Sequence, residues 1–286
     1  MHRVLRIEPG GYQSPWLRIG GPGLANLLWL WSKMVIVNHM TGIEMEWPVW
    51  RQLKPQAMLR GEWSMGYYPE LFSKTSDYLR RSPKRPVNCK RIDGDMWLDH
   101  AGADGISHEP FEMVFMRVSD PFEALFEYRE VVSRSLRSIL PTRYDTRNDS
   151  SEINVAIHIR RGDFRGLGLA CELDDYLVAI DNFRDILPKP VKFILYTDAG
   201  KDDKDLWSRI PEDVEVAGAS SPLEDLLSLS TANYLIGTAR SSFSRMACFL
   251  GGQDIIWCGD DRSFERVRDL TPTGSYIARG NVMNFS

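Results

Sequence analysis

The residues with the clearest capacity for chemistry lie in Val155-Ala156-Ile157-His158-Ile159-Arg160-Arg161-Gly162-Asp163. An apolar strand runs straight into His-x-Arg-Arg-Gly-Asp. Charged side chains are almost never buried without a partner, so two adjacent arginines at the mouth of a buried strand need one. A guanidinium presents a planar fork of donors that suits phosphate oxygens, often two bonds at a time. The plain reading is a diphosphate clamp at the end of a sheet. By the alternation of a strand, His158 points to the same face as Arg160. A structural salt bridge, with Asp163 as the nearby partner, is the other reading of the arginines, and a satisfied core histidine that of His158.

The elements that must position these residues are regular in the second half. The pattern predicts strands at Ile153 to Ile159, Val191 to Thr197, Val214 to Ala217, Tyr234 to Gly237 and Asp254 to Cys258. It predicts helices at Asp174 to Leu187, Asp202 to Ile210, Ser221 to about Ala232 and Ser242 to Leu250. Ser221-Pro222-Leu223-Glu224 is a capping box with proline at the first helical position. Gly251-Gly252 closes the last helix. Strict strand–helix alternation implies a parallel sheet, and ligands of such sheets bind beyond the carboxyl ends of the strands. His158 to Asp163, Thr197-Asp198 and Thr238 to Ser242 each follow a strand and therefore converge on one edge. Ser241 and Ser242, where a strand turns into a helix, make an anion site or simply cap the helix.

The first half reads as α/β with long irregular parts. Met1 to Gly10 alternates like a strand, and Trp16 to Ile19 is a candidate strand. The turn Gly20-Gly21-Pro22-Gly23 leads into a helical run from Leu24 to Met40. Glu46 to Pro110 is rich in Trp, Pro, Arg and Tyr and shows little periodicity, as in loops that shape a binding site. Asp93-Gly-Asp95 has the spacing of a metal motif but lies in that stretch, so no metal site is expected. Asp120 to Leu140 reads as a helix and Thr142 to Ser151 as a linker. An N-terminal α/β domain is therefore expected at 1–145 and a C-terminal Rossmann-like domain at 152–286.

The totals set limits. A chain of 286 residues, 43% hydrophobic, is globular. A net charge of −4 argues against nucleic acid or an anionic membrane as the main partner. Cys89, Cys171, Cys248 and Cys258 form no close pair; three of them sit in or beside apolar runs, as buried thiols do. No signal peptide or membrane span is visible, so a cytoplasmic location is expected.

His158-x-Arg160-Arg161-Gly162-Asp163-Phe164 resembles the His-x-Arg-Arg-Gly-Asp-Tyr signature of fucosyltransferases that use GDP-fucose. The likeness is greatest to the α-1,2-fucosyltransferase family, within the wider α-1,2/α-1,6/protein-O-fucosyltransferase superfamily. Three further segments follow in that family's order. Glu224-Asp225-Leu226-Leu227-Ser228 through Ala239-Arg240-Ser241-Ser242-Phe243-Ser244 resembles Asp-x-x-Leu-Met-Ser…Ala-Asn-Ser-Ser-Phe-Ser. Phe193 to Asp198, with Trp207 downstream, is similar to a strand ending in Ser-Asp-Asp, Ala199 standing for the second Asp. Gly23-Leu24-Ala25-Asn26-Leu27-Leu28-Trp29 resembles Gly-Leu-Gly-Asn-Gln-Leu-Phe, with Ala25 and Leu27 as departures.

The resemblance implies a two-domain GT-B architecture with GDP-fucose between the domains. It implies a metal-independent, inverting transfer of fucose to a glycan hydroxyl, α-1,2 on a galactoside being the family default. Arg160 and Arg161 would stabilise charge on the leaving diphosphate, with the Ser241-Ser242 turn and, from the other domain, Gly23 and Asn26. His158 would lie near the nucleotide, Asp198 would contact the ribose or cap the turn, and Asp225 would accept from guanine or favour its own helix dipole. Asp163 and Glu172 are the carboxylates available as general base, Asp163 alternatively orienting an arginine. Two other readings stay open: a non-catalytic nucleotide-sugar or glycan-binding relative, and a transferase using another GDP-sugar. Gly21-x-Gly23 with Glu44 has the flavour of a dinucleotide fingerprint but lacks its third glycine.

Overall fold

The structure is a computed structural model that describes residues 3–13, 17–53, 89–100, 109–118, 123–140, 152–187, 190–218, 220–259, 275–278 and 281–284. The chain forms two compact units, Met1–Asp145 and Thr146–Ser286. Each is α/β and built on a parallel sheet.

The described elements of the first unit are β1 (Arg3–Ile7), β2 (Tyr12–Gln13), β3 (Arg18–Ile19), α1 (Leu24–Thr41), β4 (Glu44–Met45), β5 (Gln52–Leu53), β6 (Lys90–Asp93), α2 (Gly94–Asp99), β7 (Phe111–Phe115) and α3 (Arg129–Ile139). Its main sheet has the order β4-β1-β7-β6, parallel throughout. The small sheet β2-β3-β5 hangs on a glycine turn. Gly11 and Gly21 have positive φ, and a Cβ on either would stand 2.7 Å from a backbone oxygen, so only glycine fits.

Helix α1 is apolar on nearly every side, which is the composition of a buried helix. Its buried Lys33 donates to Asp95 Oδ1 at 2.7 Å, and Asp95 Oδ2 accepts the Met116 and Arg117 N–H groups at 2.8 and 2.9 Å. Asp93 caps α2 by accepting the Met96 N–H at 3.0 Å. Both carboxylates of the Asp-Gly-Asp run are thus engaged by the protein itself.

The structure corrects three expectations here. The run from Glu46 to Pro110 is not aperiodic throughout, since β5, β6 and α2 lie in it. Strand β7 was not expected, yet it pairs with both β1 and β6. The helix expected from Asp120 begins as a 3₁₀ turn at Glu123–Tyr128 and becomes α-helical only at Arg129. Trp16, the linker Thr142 to Ser151 and most of the aromatic-rich stretch lie outside the described residues.

The second unit runs β8 (Ile153–Ile159), α4 (Gly162–Gly166), α5 (Leu173–Ile186), β9 (Val191–Thr197), α6 (Lys204–Arg209), β10 (Val214–Val216), α7 (Pro222–Thr231), β11 (Tyr234–Thr238), α8 (Ser242–Gly251), β12 (Asp254–Cys258), β13 (Ser275–Ala278) and β14 (Asn281–Asn284). The sheet order is β10-β9-β8-β11-β12-β13-β14, parallel except for β14. Counted from β8, the parallel strands follow the 3-2-1-4-5-6 order of doubly wound nucleotide-binding sheets. The chain reverses direction of winding between β8 and β11, which is where such sheets bind their ligands.

Packing explains the register. Val155, Ile157 and Ile159 join Tyr176, Ala179, Ile180 and Phe183 of α5 in one buried cluster. Each of the valine, isoleucine and phenylalanine side chains among them contributes about 1.5–3 kcal/mol on burial. His158, on the alternate face, meets Phe243 and Ser244 of α8. A one-residue slip of β8 would exchange these faces, so the apolar core fixes which side His158 takes. Among the described residues no helix is long and apolar enough to cross a membrane.

Candidate functional site at the fork of the second sheet

Strand β8 pairs with β11 only as far as Ile157 opposite Ile236. On its other side it stays paired with β9 up to Ile159 opposite Thr197, while β11 stays with β12 up to Thr238 opposite Cys258. The sheet therefore forks over its last residues, and the fork opens where Arg160 and Arg161 leave β8.

The two arginines have different surroundings. Arg161 is 6% exposed; its Nε and Nη2 donate to Asp203 at 3.0 and 3.2 Å, and Nη2 donates to Asp205 at 2.6 Å. Bonding to these carboxylates raises the Arg161 pKa and lowers those of Asp203 and Asp205. Asp203 is also the N-cap of α6 and binds Arg165 at 2.9 Å. Arg161, Arg165, Asp202, Asp203 and the 199–200 backbone line a polar cavity of about 180 Å³. Arg160 is 32% exposed. It meets Asp163 at 2.9 Å and Asp198 at 2.6 Å, both carboxylates open to solvent, and lies over the Phe164 ring at 5.5 Å. Exposed pairs of this kind hold a side chain in place without adding much stability.

Asp198 acts as a cap. Its Oδ1 accepts the N–H groups of Arg161 at 2.7 Å and Gly162 at 3.1 Å, at the start of α4. A Cβ on Gly162 would lie 2.4 Å from Asp198 Oδ2. Gly162→Ala is therefore expected to push Asp198 off both N–H groups and off Arg160. It should weaken ligand binding at this edge about tenfold and cost about 1–2 kcal/mol of stability. Titration and urea unfolding of the variant check both figures.

His158 is buried, and its pKa is pushed down to about 3, first by burial and then by the nearby Arg160. Ser244 Oγ accepts the Thr238 N–H at 3.0 Å and lies 2.6 Å from His158 Nδ1. The neutral ring carries one proton, and either Ser244 Oγ donates to Nδ1 or Nδ1–H donates to the second lone pair of Oγ. A folded-state pKa below the unfolded value of about 6.5 makes this a one-sided pH effect. Its stability is fully present above about pH 6.5 and falls as pH drops from there toward about 3, by at most about 1.4 kcal/mol per pH unit. Urea unfolding at pH 7 and pH 5 is expected to show this loss in the wild type and a smaller one in His158→Phe.

The remaining expected residues are spread more widely. Ser241 is the N-cap of α8, its Oγ accepting the Phe243 N–H at 3.3 Å, and Ser242 is the first helical residue. No acidic side chain lies in the first turn of α8. Asp225, in the first turn of α7, accepts from Ser220 Oγ, and burial pushes its pKa up. Glu172 is the N-cap residue of α5 and is exposed, its side chain making no cap bond. Gly23 is the N-cap of α1 and Asn26 is in its first turn, both in the first unit. The structure thus brings together Arg160, Arg161, Asp163 and Asp198 by direct contact. His158 joins the α8 terminus. No described contact ties Glu172 or Asp225 to the arginines. Ser244 and Asp203 were not foreseen. Ser244 closes the Ser-Ser-Phe-Ser block that resembled the family but was given no role there, and an aspartate opening a short helix is the signal for Asp203.

Comparison with known proteins settles the family. The sequence pattern of glycosyl transferase family 11 matches residues 112–261, more than half of the chain, and spans every element of the forked sheet edge. The chain belongs to glycosyl transferase family 11. It is a glycosyltransferase of the fucosyltransferase kind, as the His-x-Arg-Arg-Gly-Asp resemblance implied. No curated protein sequence matches it. Among solved structures, fucosyltransferase NodZ from Bradyrhizobium is similar at 15% identity and a TM-score of 0.49, covering 100% of this chain and 99% of that one. The heptosyltransferase WaaC of E. coli with ADP has 15% identity and a TM-score of 0.43, covering 90% and 87%. Arabidopsis thaliana FUT1 in complex with GDP has 13% identity and a TM-score of 0.42, covering 90% and 73%. The family assignment rests on the family 11 match alone.

Proposed function

We propose that this family 11 glycosyltransferase moves L-fucose from GDP-fucose to a hydroxyl of a glycan. The acceptor oxygen bonds to the anomeric carbon as the carbon–oxygen bond to GDP breaks, and the electron pair leaves with the diphosphate. Configuration is inverted, and an α-1,2 linkage to a galactoside follows the family default. The observation that carries the reading is the unequal pairing of the two arginines. Among the described residues the Arg160 guanidinium pairs with solvent-open carboxylates that a diphosphate can displace, and it stands at the fork where doubly wound sheets bind nucleotides. Arg161 is spent on Asp203 and Asp205 and acts through the backbone it fixes.

The neutral His158 and the α8 terminus with Ser241 and Ser242 supply further donors to the leaving group. These protein charges replace a metal in the reading. Asp163 orients Arg160, which leaves Glu172 as the carboxylate free to take the acceptor proton. Incubation with GDP-fucose and a panel of galactosides tests the reading. A fucosylated product of inverted configuration by NMR is the expected result. Donor hydrolysis without transfer to any acceptor would leave only the donor half of it. Neither hydrolysis nor transfer would favour a binding protein.

A further inference from the structure

The ladder between β8 and β11 stops at Ile157, yet the chain stays anchored for three more residues. On the β11 side the anchor is one hydroxyl. Thr238 Oγ1 lies 2.9 Å from His158 O, 3.2 Å from Arg160 N and 2.7 Å from Tyr176 Oη. Thr238 and Tyr176 are both 0% exposed. A hydroxyl has one proton to donate and two lone pairs to accept with. The carbonyl of His158 can only accept and the amide of Arg160 can only donate. The threonine proton therefore goes to His158 O, and its two lone pairs take the Arg160 N–H and the Tyr176 O–H. Every role is assigned and none is left over. On the other side of the strand tip, Thr197 Oγ1 donates to Ile159 O at 2.8 Å. Two threonines from flanking strands thus hold successive carbonyls of the tip.

We infer that Thr238 is a positioning residue: its hydroxyl, itself held by Tyr176 of α5, bridges the fork of the sheet and fixes the backbone from which Arg160 projects. The inference rests on the reading of Arg160 as the diphosphate contact. Geometry gives it a specific consequence. Valine has the shape of threonine but leaves the Arg160 N–H and His158 O without their partner. The rest of the fold keeps its apolar contacts, so the damage is local to the strand tip.

The test uses Thr238→Val, Thr238→Ser and Tyr176→Phe in the full chain, with two readouts. Amide hydrogen exchange at Arg160 reports the bridge without any ligand. GDP-fucose affinity reports its use. Thr238→Val is expected to speed exchange at Arg160 and to weaken GDP-fucose binding about tenfold. Thr238→Ser, which keeps the hydroxyl, is expected to restore both. Tyr176→Phe removes one of two donors to the hydroxyl and should fall between. Unchanged exchange at Arg160 in a folded Thr238→Val overturns the inference. So does faster exchange with wild-type affinity, since the bridge would then not serve the site. If the wild type itself binds no GDP-sugar, the functional reading fails, and the exchange data alone decide whether Thr238 holds the strand tip.

Discussion

Arg160→Ala is expected to lower kcat/KM for GDP-fucose by about 10²–10³-fold, the range seen when a single group that stabilises developing transition-state charge is removed. Arg160 has the only arginine fork at this edge whose described partners are solvent-open carboxylates, Asp163 and Asp198. A diphosphate carries more charge than either and accepts two bonds from one guanidinium. Removing the side chain leaves the backbone bonds of Arg160 to Thr238 and of Arg161 to Asp198 in place. Stability should therefore change by less than about 1 kcal/mol, as for other exposed ion pairs. Steady-state kinetics and a melting curve on the same preparation check both halves. Arg160→Lys keeps the charge but not the fork, and its activity should lie between wild type and alanine.

The neighbouring arginine should behave in the opposite way. Arg161→Met leaves Asp203 as a buried carboxylate with its main partner gone, and breaking a buried pair costs about 3–5 kcal/mol. The lower end of that range applies, since the pair borders a polar cavity. For a unit of this size a loss of about 3 kcal/mol lowers the melting temperature by about 6–12 °C. The double variant Arg161→Met/Asp203→Leu removes both charges and should recover much of the loss. Acid should mimic the single variant. Asp203 has a lowered folded-state pKa, so its contribution is present above about pH 4 and is lost as pH falls through the folded value. Melting temperatures of the three proteins from pH 7 to pH 3 test this. All three should share the gradual loss due to His158, and the wild type alone should show an additional step below about pH 4.

The second unit was legible because its strands are apolar runs, with β8, β11 and β12 buried along most of their length. Ile153–Ile159, Val191–Thr197 and Asp254–Cys258 fall residue for residue where apolar runs bounded by turn residues placed them. The capping box at Ser221 and the left-handed Gly252 are local signals that need no tertiary context, and both formed as expected. The first unit was harder for physical reasons. Strand β6, Lys-Arg-Ile-Asp, lies at the edge of its sheet and is mostly solvent-facing, so it carries no apolar alternation. Strand β7 has the composition of a strand, but it begins directly after the aromatic-rich stretch that ends at Pro110, with no turn signal between strands to mark it off.

The site was legible to the extent that it is local. The motif after β8 and the serines before α8 announce themselves by type and position. The bonds that give them distinct roles do not. Arg161 finds Asp203 across 42 residues and Thr238 finds His158 O across 80, and both contacts exist only because β9 and β11 flank β8. Strand order is not written in any one segment. Two arginines that look equivalent in the sequence are given different partners by that order.

Calorimetric titration of the full chain with GDP-fucose, GDP-mannose, UDP-galactose and NAD tests the central claim most directly. The account predicts selective binding of GDP-fucose, abolished in Arg160→Ala and retained in a folded Thr238→Ser. Binding of NAD, or a GDP-fucose affinity indifferent to Arg160, would contradict it.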